Sequence, residues 1–572
     1  MKYRRKDYLN FLNAEFEKNK NDFEQLVNTK AIELKSQGKV FTGPFIKMDD
    51  DMAIFKIRET EKMPLKNSFW TAVYLNGDMA KYRNWGDYSW AYICQNFQRD
   101  FSDAHCVWLS KANEPGFCLI GINQLSCGFA KLLEQEKPLI AFGPQMPPLE
   151  YLLNLREIVA DSRFNDVNKI LDYEEVKDNL WTPLILSKEK DMNNLVLEDF
   201  KSSNCIAIQG PPGTGKTFRM AKLTALLLER NKSVLVTALT NRALMELAEK
   251  KDLKPYIEKG KISKTSLTVD ESMELPGLLA VEGNNCFPTN GSLTLASFYV
   301  SSRWALKADD VPFDYVLMDE ASQALLPMIA ATFKLGKKLI WIGDQQQLPP
   351  VVKINEDIIN RFGWSDMING FNTLCSNFKY PSYFLNDTFR LTKRGAEFTS
   401  LFYDNCLRSV SEEQTTPIQM QQLNSNGGPS LLLFKFEIGK KTSRTINDAV
   451  LKTVLDILQK APKAKIAVLS KFHDTINGIQ KCFVLRLPGY EKNKDLLVAT
   501  VDSVQGLTVD YCVFVIPDSS KRYSLDDNLF NVATSRAKYC TIIIAYENIL
   551  SFNMSEKIRK FLAKLQNKKR KD

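Results

Sequence analysis

The spacing of apolar residues divides the N-terminal part of the chain into a helical stretch and a strand-rich stretch. In residues 6–35 the apolar side chains recur every three or four positions, which predicts a long helix. This seam, with the polar Asn19 as a defect, fits a coiled-coil-like helix and a globular core helix equally well. Residues 38–145 contain short apolar runs separated by acidic or Gly/Pro turns. They predict a small β-rich module that folds as a separate unit.

From residue 186 onward, short apolar runs alternate with helical stretches. The runs begin with CIAIQG and end with TIIIAY, and they form two groups that meet near residue 380. Continuous apolar strands that alternate with helices are typical of parallel sheets covered on both faces. The pattern therefore predicts two α/β domains. Residues 253–290 fit neither pattern, so we expect an inserted subdomain there.

These patterns predict an α/β protein whose parts follow one another along the chain. The expected boundaries are 1–37 for the first helix, 38–145 for the β-rich module, 146–185 for returning helices, 186–380 for the first α/β domain, 381–545 for the second, and 546–572 for a C-terminal helix and basic tail. The apolar stripe of the last helix is expected to dock on the body of the protein.

Composition narrows the classes of protein that fit. No apolar run among the 572 residues reaches the roughly 18 positions of a membrane span, and the first residues lack the apolar segment of a signal peptide. We therefore expect a cytoplasmic protein without a membrane partner. Eleven cysteines without a CxxC spacing argue against a zinc module, and two histidines exclude a histidine-rich metal site. A net charge of +9 permits a polyanionic partner.

The segment GPPGTGKT follows a predicted strand and opens a predicted helix, and it satisfies the spacing GxxxxGK[ST]. Glycines allow backbone N–H groups to surround phosphate oxygens, and the helix N-terminus adds partial positive charge. Lys216 is expected to reach the β- and γ-phosphates, and the Thr217 hydroxyl is expected to bind Mg²⁺. The predicted nucleotide-binding residues are Gly210, Pro211, Pro212, Gly213, Thr214, Gly215, Lys216 and Thr217.

Two adjacent carboxylates end the apolar run in VLMDEASQ. Acids are also common where a helix begins. Asp319 and Glu320 therefore indicate a catalytic role only in combination with the phosphate site upstream. In P-loop proteins an acid at the tip of a neighbouring strand holds magnesium, and Asp319 fits this role. Glu320 is then placed to orient and deprotonate the attacking water, and Gln323 to sense the γ-phosphate.

Six ordered motifs resemble those of the superfamily 1 group B helicases, and are similar to the family of the nonsense-mediated decay RNA helicase. They are GPPGTGKT, VLMDEASQ, WIGDQQQLPP, NDTFRL, VATVDSVQGLTVDYCVFV and NVATSRAKYCTIII. The resemblance implies two RecA-like domains behind stalk helices that carry a small β-barrel, with ATP and Mg²⁺ as cofactors. It also implies an ATP-dependent 5′-to-3′ translocase and helicase on single-stranded DNA or RNA.

The resemblance further implies roles for single residues. Gln347 would contact the γ-phosphate, and Phe389 would stack on the adenine. Arg390 and Arg536 would be arginine fingers, and Gly506 would lie close to the phosphates. The implied contacts with the nucleic-acid backbone are Thr237, Thr240, Asn241, Ser297, Pro349, Thr500 and Ser503. Hydroxyl and amide groups at strand ends suit phosphate contacts, although they also fit helix capping, and Pro349 also fits a strand end.

Two departures from the family limit these implications. Relatives carry a glutamine some twenty residues before the P-loop that reads the adenine, whereas the corresponding stretch here has none, so adenine specificity stays open. The Cys- and His-rich zinc module of several relatives is also absent. Both DNA and RNA remain possible tracks, because both are followed through phosphates. The alternative function is an ATP-gated nucleic-acid clamp or recruitment module in which hydrolysis is only a reset.

Overall fold

The computed structural model describes residues 2–75, 84–96, 98–176, 181–435, 442–517 and 521–566. The chain forms two compact units that are each assembled from separated stretches. The first unit takes its residues from Met1–Asn19, Pro148–Thr415 and Asp527–Ser535, and the second from Lys20–Pro147, Thr416–Asp526 and Arg536–Asp572. Each unit contains a parallel sheet, which confirms the predicted α/β class.

Two helices begin the chain where one long helix was expected. They are α1 (Arg5–Asn28) and α2 (Ala31–Gln37). The break at Thr29 and Lys30 has no glycine or proline to announce it, and Lys30 there forms an isolated bridge with Ser89. Phe11 and Leu12 of α1 lie in a hydrophobic cluster of the first unit, so this part of α1 is a core helix.

Six antiparallel strands of the described chain close a barrel in the order β1-β2-β5-β4-β3-β6. They are β1 (Phe41–Asp49), β2 (Met52–Arg58), β3 (Ser68–Leu75), β4 (Gln98–Lys111), β5 (Phe117–Asn123) and β6 (Leu139–Gly143). Helix α3 (Trp90–Asn96) precedes β4, and α4 (Cys127–Glu136) precedes β6. Gly143 has to be glycine because a Cβ there would lie 2.3 Å from the ring of Trp90. The small barrel implied by the family resemblance is confirmed.

Nine parallel strands form the sheet of the first unit, within the residues that the structure describes. They are β7 (Leu184–Leu186), β8 (Cys205–Gln209), β9 (Val234–Ala238), β10 (Ile262–Thr265), β11 (Leu279–Val281), β12 (Leu293–Ser297), β13 (Phe313–Met318), β14 (Gly336–Gly343) and β15 (Ser382–Leu385). Their order is β11-β10-β12-β9-β13-β14-β8-β15-β7. The stretch 253–290, where an inserted subdomain was expected, instead adds β10 and β11 to this sheet, because β10 pairs in parallel with β12.

Hydrophobic clusters cover both faces of this sheet. Along β14, Leu339 and Trp341 belong to one cluster, whereas Ile340 and Ile342 belong to the other. This alternation follows from the two-residue period of a strand. The helices that accompany the sheet are α5 (Glu150–Ala160), α6 (Asn165–Leu171), α7 (Met192–Asp199), α8 (Lys216–Glu229), α9 (Asn241–Ala248), α10 (Lys254–Glu258), α11 (Val269–Glu274), α12 (Phe298–Lys307), α13 (Leu326–Ala331), α14 (Glu356–Phe362), α15 (Ser365–Ile368), α16 (Gly370–Asn377) and α17 (Lys393–Thr399). Two short strands, β16 (Asp387–Thr388) and β17 (Arg408–Ser409), pair with each other.

The second unit contains a parallel sheet of five described strands in the order β18-β22-β21-β19-β20. These strands are β18 (Gly428–Phe434), β19 (Ile466–Ser470), β20 (Leu496–Thr500), β21 (Val509–Val515) and β22 (Ala537–Tyr546). The remaining helices are α18 (Thr442–Lys460), α19 (His473–Arg486), α20 (Lys521–Ser524), α21 (Asp527–Thr534) and α22 (Glu556–Gln566). Helix α21 belongs to the first unit. The apolar stripe of α22 is buried, as predicted, and the basic tail lies outside the described residues.

The barrel and the five-stranded sheet share one hydrophobic cluster within the second unit. Phe142 of the barrel and Val513 of the sheet both belong to it. Between them, the buried Gln480 of α19 donates from Nε2 to the Pro64 carbonyl at 2.9 Å and accepts from the Lys66 N–H at 2.9 Å. This shared core corrects the expectation that the β-rich module folds separately, because its apolar surface is completed by the sheet.

Two classes of feature are absent from the described residues. No helix there combines the length and apolar character that crossing a membrane requires. No group of three or more His, Cys, Asp and Glu side chains in this part of the chain is arranged to hold a metal ion. The cysteines are free.

Candidate functional site

The P-loop begins where β8 ends, next to the end of β14. The Gly210 N–H donates to the Gly343 carbonyl at 2.9 Å, which ties the loop to the sheet. Gly213 and Gly215 have φ angles of 74° and 77°, which favour glycine. Lys216 opens the 14-residue helix α8, and its ammonium donates to the Gly210 carbonyl. The loop therefore presents glycine backbone, a helix N-terminus and an ammonium group at one place.

The segment that contains Phe389 and Arg390 holds the P-loop from its other side. The Phe389 N–H donates to the Gly213 carbonyl at 2.8 Å, and the Thr388 hydroxyl donates to the Pro212 carbonyl at 2.9 Å. A Cβ on Gly213 would lie 2.4 Å from the Arg390 Cβ, so only glycine allows this approach. The structure thus brings Phe389 and Arg390, predicted from a distant motif, against the P-loop.

Asp319 and Glu320 follow β13 within the same unit. The Asp319 N–H donates to the Thr237 carbonyl at 2.9 Å, and its side chain is buried. Burial raises the pKa of Asp319 to about 6, although the Glu320 N–H and the charge of Lys216 act to lower it. Glu320 has a φ of 52°, an uncommon conformation for a non-glycine residue, and its carbonyl accepts from the Gln323 N–H at 2.8 Å.

The residues fit a magnesium ion by their chemistry. Thr217 offers a hydroxyl oxygen and Asp319 a carboxylate oxygen, and Mg²⁺ prefers oxygen ligands. Asp319 is buried, and a divalent ion bound beside it would favour the ionised form of its carboxylate.

Gln347 lies in the loop after β14, where its side chain is turned toward a buried acid. Its Nε2 donates to Asp344 at 2.8 Å. Asp344 was not among the residues predicted from the motifs, although it lies within WIGDQQQLPP. Its signal was its position, because it directly follows a buried strand at the same sheet edge as the P-loop.

A cavity of about 600 Å³ opens beside the P-loop in the first unit. It is lined by Lys188, Glu189, Lys190, Asp191, Met192, Asn193, Gly215, Phe218, Arg219, Lys222 and Phe389. The Phe389 ring is 48% exposed, which leaves a face for stacking. Asn193 is buried, and its Oδ1 has no hydrogen-bond partner among the described residues. The stretch 186–204 before the P-loop contains no glutamine, and Asn193 is the amide side chain that lines this cavity.

The residues expected along the nucleic-acid track differ in exposure within the first unit. Thr237 is fully buried, and its hydroxyl pairs with the Ser301 hydroxyl at 3.0 Å. This contact corrects the expectation for Thr237, because its hydroxyl is already paired away from solvent. Thr240 accepts from the Ala243 N–H at 3.3 Å as a helix cap, and Asn241 is exposed.

Two other residues expected along the track frame the same sheet edge of the first unit. Ser297 ends β12 and is buried. Pro349 is exposed in the loop after β14. Of this pair, Pro349 is the more accessible to a nucleic-acid strand.

Four expected site residues lie in the second unit. Thr500 and Ser503 bond to each other locally: the Ser503 hydroxyl donates to the Thr500 carbonyl at 2.8 Å. Gly506 has a φ of 81°. Arg536 is 1% exposed, and its guanidinium donates to the Val504 carbonyl at 3.5 Å. An internal structural contact of Arg536 is therefore present.

Comparisons with known proteins agree with the motifs. Two family models, each described as an AAA domain, match residues 194–353 and 368–548. The chain is 28% identical over 276 residues to the DNA replication ATP-dependent helicase/nuclease DNA2 of Saccharomyces cerevisiae, covering 45% of this chain and 17% of that protein. It is 26% identical over 404 residues to the Regulator of nonsense transcripts 1 homolog of Arabidopsis thaliana, covering 60% of this chain and 31% of that protein.

The chain thus spans less than a third of the length of either relative. Among solved structures, the arterivirus nonstructural protein 10 helicase aligns with a TM-score of 0.37 and 13% identity, covering 90% of this chain and 78% of that one. The sequence matches, not this structural alignment, carry the assignment. On the two matched domains and the six ordered motifs, the chain belongs to the superfamily 1 helicases.

Proposed function

We propose that this protein is an ATP-driven translocase that moves 5′ to 3′ along single-stranded nucleic acid and unwinds duplexes. The observation that carries the proposal is the arrangement of the P-loop, the Asp319–Glu320 pair and Arg390 within one compact unit. Phosphoryl transfer to water needs phosphate binding, a metal ligand beside an acid, and positive charge. Membership of the family supports the direction of movement.

In this mechanism, Lys216 and the P-loop N–H groups bind the phosphates. Thr217 and Asp319 would hold Mg²⁺, which when bound neutralises charge on the phosphate oxygens. Glu320 orients the attacking water and accepts its proton on a carboxylate oxygen. Arg390 supplies positive charge as negative charge grows on the phosphoryl oxygens.

Further polar groups complete the proposed phosphate chemistry. Gln323 and Gln347 sense the γ-phosphate. Gly506 is proposed to lie close to the phosphates, and Arg536 is proposed as a further arginine finger. The role of Arg536 is supported by its motif alone, because its guanidinium is engaged with Val504 in this structure.

The cavity beside Phe389 is proposed to take the nucleobase. The exposed ring of Phe389 offers a stacking surface, and a buried Asn193 oxygen offers a hydrogen-bond acceptor. An asparagine reaches less far than a glutamine, so base discrimination at this site is proposed to be weak.

The track is proposed to run along exposed polar groups at strand ends. The residues proposed to serve it are Thr240, Asn241, Pro349, Thr500 and Ser503, with a lesser contribution from the buried Ser297. Such groups contact phosphates without reading bases. One relative is named for DNA replication and another for nonsense transcripts, so DNA and RNA both remain candidate tracks.

Two linked measurements test the function. ATPase rates should be compared with single-stranded DNA, with single-stranded RNA and with neither, at one stated salt concentration. Strand displacement should then be followed on forked duplexes with only a 5′ or only a 3′ tail. We expect stimulated hydrolysis and ATP-dependent displacement from the 5′ tail.

Each contrary outcome identifies a different failure. Displacement only from the 3′ tail would reverse the proposed direction. Nucleotide-dependent binding without displacement would favour an ATP-gated clamp. A Lys216→Ala preparation serves as the control for contaminating ATPases.

A further inference from the structure

Asp344 is a buried carboxylate that accepts hydrogen bonds from its own loop and from the distant Tyr403, all within the first unit. The Tyr403 hydroxyl donates to it at 2.7 Å, the Gln347 amide at 2.8 Å and the Gln346 N–H at 3.1 Å. Asp344 is 1% exposed. Burial raises the pKa of this carboxyl, while the charge of Lys216 and the hydrogen bonds lower it. A buried carboxylate depends on such partners.

Asn531 closes these contacts into a ring. Its Nδ2 donates to the Tyr403 hydroxyl at 2.8 Å and to the Gln346 carbonyl at 2.8 Å. One amide nitrogen carries two hydrogens, and one hydroxyl both donates and accepts, so these bonds do not compete. The ring therefore runs from Asp344 through Tyr403, Asn531 and Gln346 back to Asp344, and Tyr403 and Asn531 are both buried.

The ring joins segments that are far apart in sequence. Asp344 and Tyr403 are separated by 59 residues, and Tyr403 and Asn531 by 128. Asn531 lies in the stretch Asp527–Ser535, which belongs to the first unit although Arg536 belongs to the second. The Ser535 carbonyl accepts from the Arg390 guanidinium at 3.2 Å, a second attachment of the same stretch.

We propose that Tyr403 and Asn531 are positioning residues for ATP hydrolysis. Through the ring they hold the loop that carries Gln347 and the stretch that ends just before Arg536 in one arrangement. Small displacements of catalytic groups have large effects on rate, so a residue that only fixes their positions controls turnover. This inference rests on the ATPase function proposed above.

Tyr403→Phe is the direct test, because it removes the hydroxyl and keeps the aromatic ring. The centroid of this ring lies 6.4 Å from the centroid of the Phe384 ring. We expect kcat of the nucleic-acid-stimulated ATPase to fall about tenfold or more, and KM for ATP to change less than about twofold. The matched control is Tyr383→Phe. Tyr383 is also buried in the first unit, and its hydroxyl donates to Asp199. The control should keep the parent kcat.

A second variant keeps the test decisive if Tyr403→Phe folds poorly. Asn531→Leu retains similar volume and removes both amide donors, and we expect the same fall in kcat. Because the two residues act through one ring, the double variant should lose little more than either single variant.

The outcomes separate the inference from the function on which it rests. A folded Tyr403→Phe protein with the parent kcat would overturn the inference alone. Equal losses of melting temperature in Tyr403→Phe and Tyr383→Phe, with unchanged kcat in both, would reduce the ring to a structural role. A parent protein without any ATPase would overturn the proposed function and the inference with it.

Discussion

The two compact units use buried polar groups in different ways. In the first unit the buried carboxylates Asp319 and Asp344 follow the carboxyl ends of strands β13 and β14, where the charge of Lys216 acts on both. In the second unit the buried amide of Gln480 instead joins α19 to the barrel. Buried polar groups in the first unit are gathered near the P-loop lysine, whereas in the second unit the buried amide joins the helix beside the five-stranded sheet to the barrel.

The hydrophobic cores of the two units also differ in whether they extend beyond the parallel sheet. The nine-stranded sheet is covered by two clusters within its own unit, while the cluster of the five-stranded sheet continues into the barrel. Substitutions at the polar edge of the first unit should therefore change turnover, and substitutions at the barrel junction should change stability. The following experiments can break or sharpen this contrast.

The largest expected effect comes from deleting the barrel, residues 41–143. The five-stranded sheet would lose the apolar partners that complete its cluster, so we expect the second unit to lose cooperative folding. Domains are stable by only ~5–15 kcal/mol, so the loss of this shared apolar surface is expected to abolish the stability of the second unit. Limited proteolysis and calorimetry, with the full chain as the reference, measure it. A truncated protein that melts like the full chain would show that the barrel is dispensable.

Lys216→Ala should reduce ATP turnover by about a thousandfold or more without unfolding the protein, because it removes the charge nearest the transferring phosphate. Lys201→Ala is the control, since Lys201 lies in the same unit in an exposed ion pair with Glu198. Steady-state ATPase and melting temperature should be recorded on both variants. Parent-like turnover in Lys216→Ala would remove the P-loop assignment.

Arg536→Ala should lower kcat by about a thousandfold if the arginine acts on the phosphates, because an arginine finger acts chiefly in the transition state. The structure adds a second expectation: a lower melting temperature, since the buried guanidinium bonds to Val504. Melting, ATP affinity and ATPase should be measured on one preparation, with Arg536→Lys as the charge-conserving comparison. A stable variant that retains most of its ATP turnover would show that Arg536 is not an arginine finger.

Gln480→Ala should reduce the free energy of unfolding by about 2–4 kcal/mol, because it leaves the Pro64 carbonyl and the Lys66 N–H without their partner. Lys62→Ala, which removes only the exposed ion pair with Asp474, should stay within about 0.5 kcal/mol of the parent. Urea unfolding measures both values. Similar losses in the two variants would mean that the Gln480 amide is not what fastens the barrel.

The smallest expected effect concerns the choice of nucleobase. Asn193→Ala should change the ratio of kcat/KM for ATP and GTP by only about threefold to tenfold, because one hydrogen-bonding group is lost from the cavity. Asn194→Ala is the control, since its amide donates to Asp191 at the same helix start. The Asn193 assignment fails if both variants keep the parent ratio.

Much of the fold followed from apolar runs that are long and continuous. Strands such as β8 and β14 were predicted because parallel strands buried on both faces leave such runs. The strands β10 and β11 at one side of the sheet were missed because they are only four and three residues long. The break between α1 and α2 was missed because it has no local signal and accompanies the bridge between Lys30 and Ser89.

The candidate site also contains some features that follow from local sequence and others that depend on contacts between distant residues. The P-loop and the Asp319–Glu320 pair were predicted from sequence because each motif is local. The burial of Thr237 was not, because it depends on Ser301 from another element. The bonds of Tyr403 to Asp344 and Asn531 have no local signature, since they cross 59 and 128 residues.

The interrupted course of the chain through its two units affects how the protein is made. During synthesis α1 leaves the ribosome before the strands of the first unit's sheet, yet its buried face belongs to the same core as those strands. The apolar surface of the barrel that packs against the five-stranded sheet stays exposed until the strands of that sheet have been synthesised. The first unit is complete only when the stretch Asp527–Ser535 has been made, more than a hundred residues after the rest of that unit. Nascent chains with such exposed apolar surface are prone to aggregate, so efficient production should depend on chaperones or on slow synthesis at low temperature.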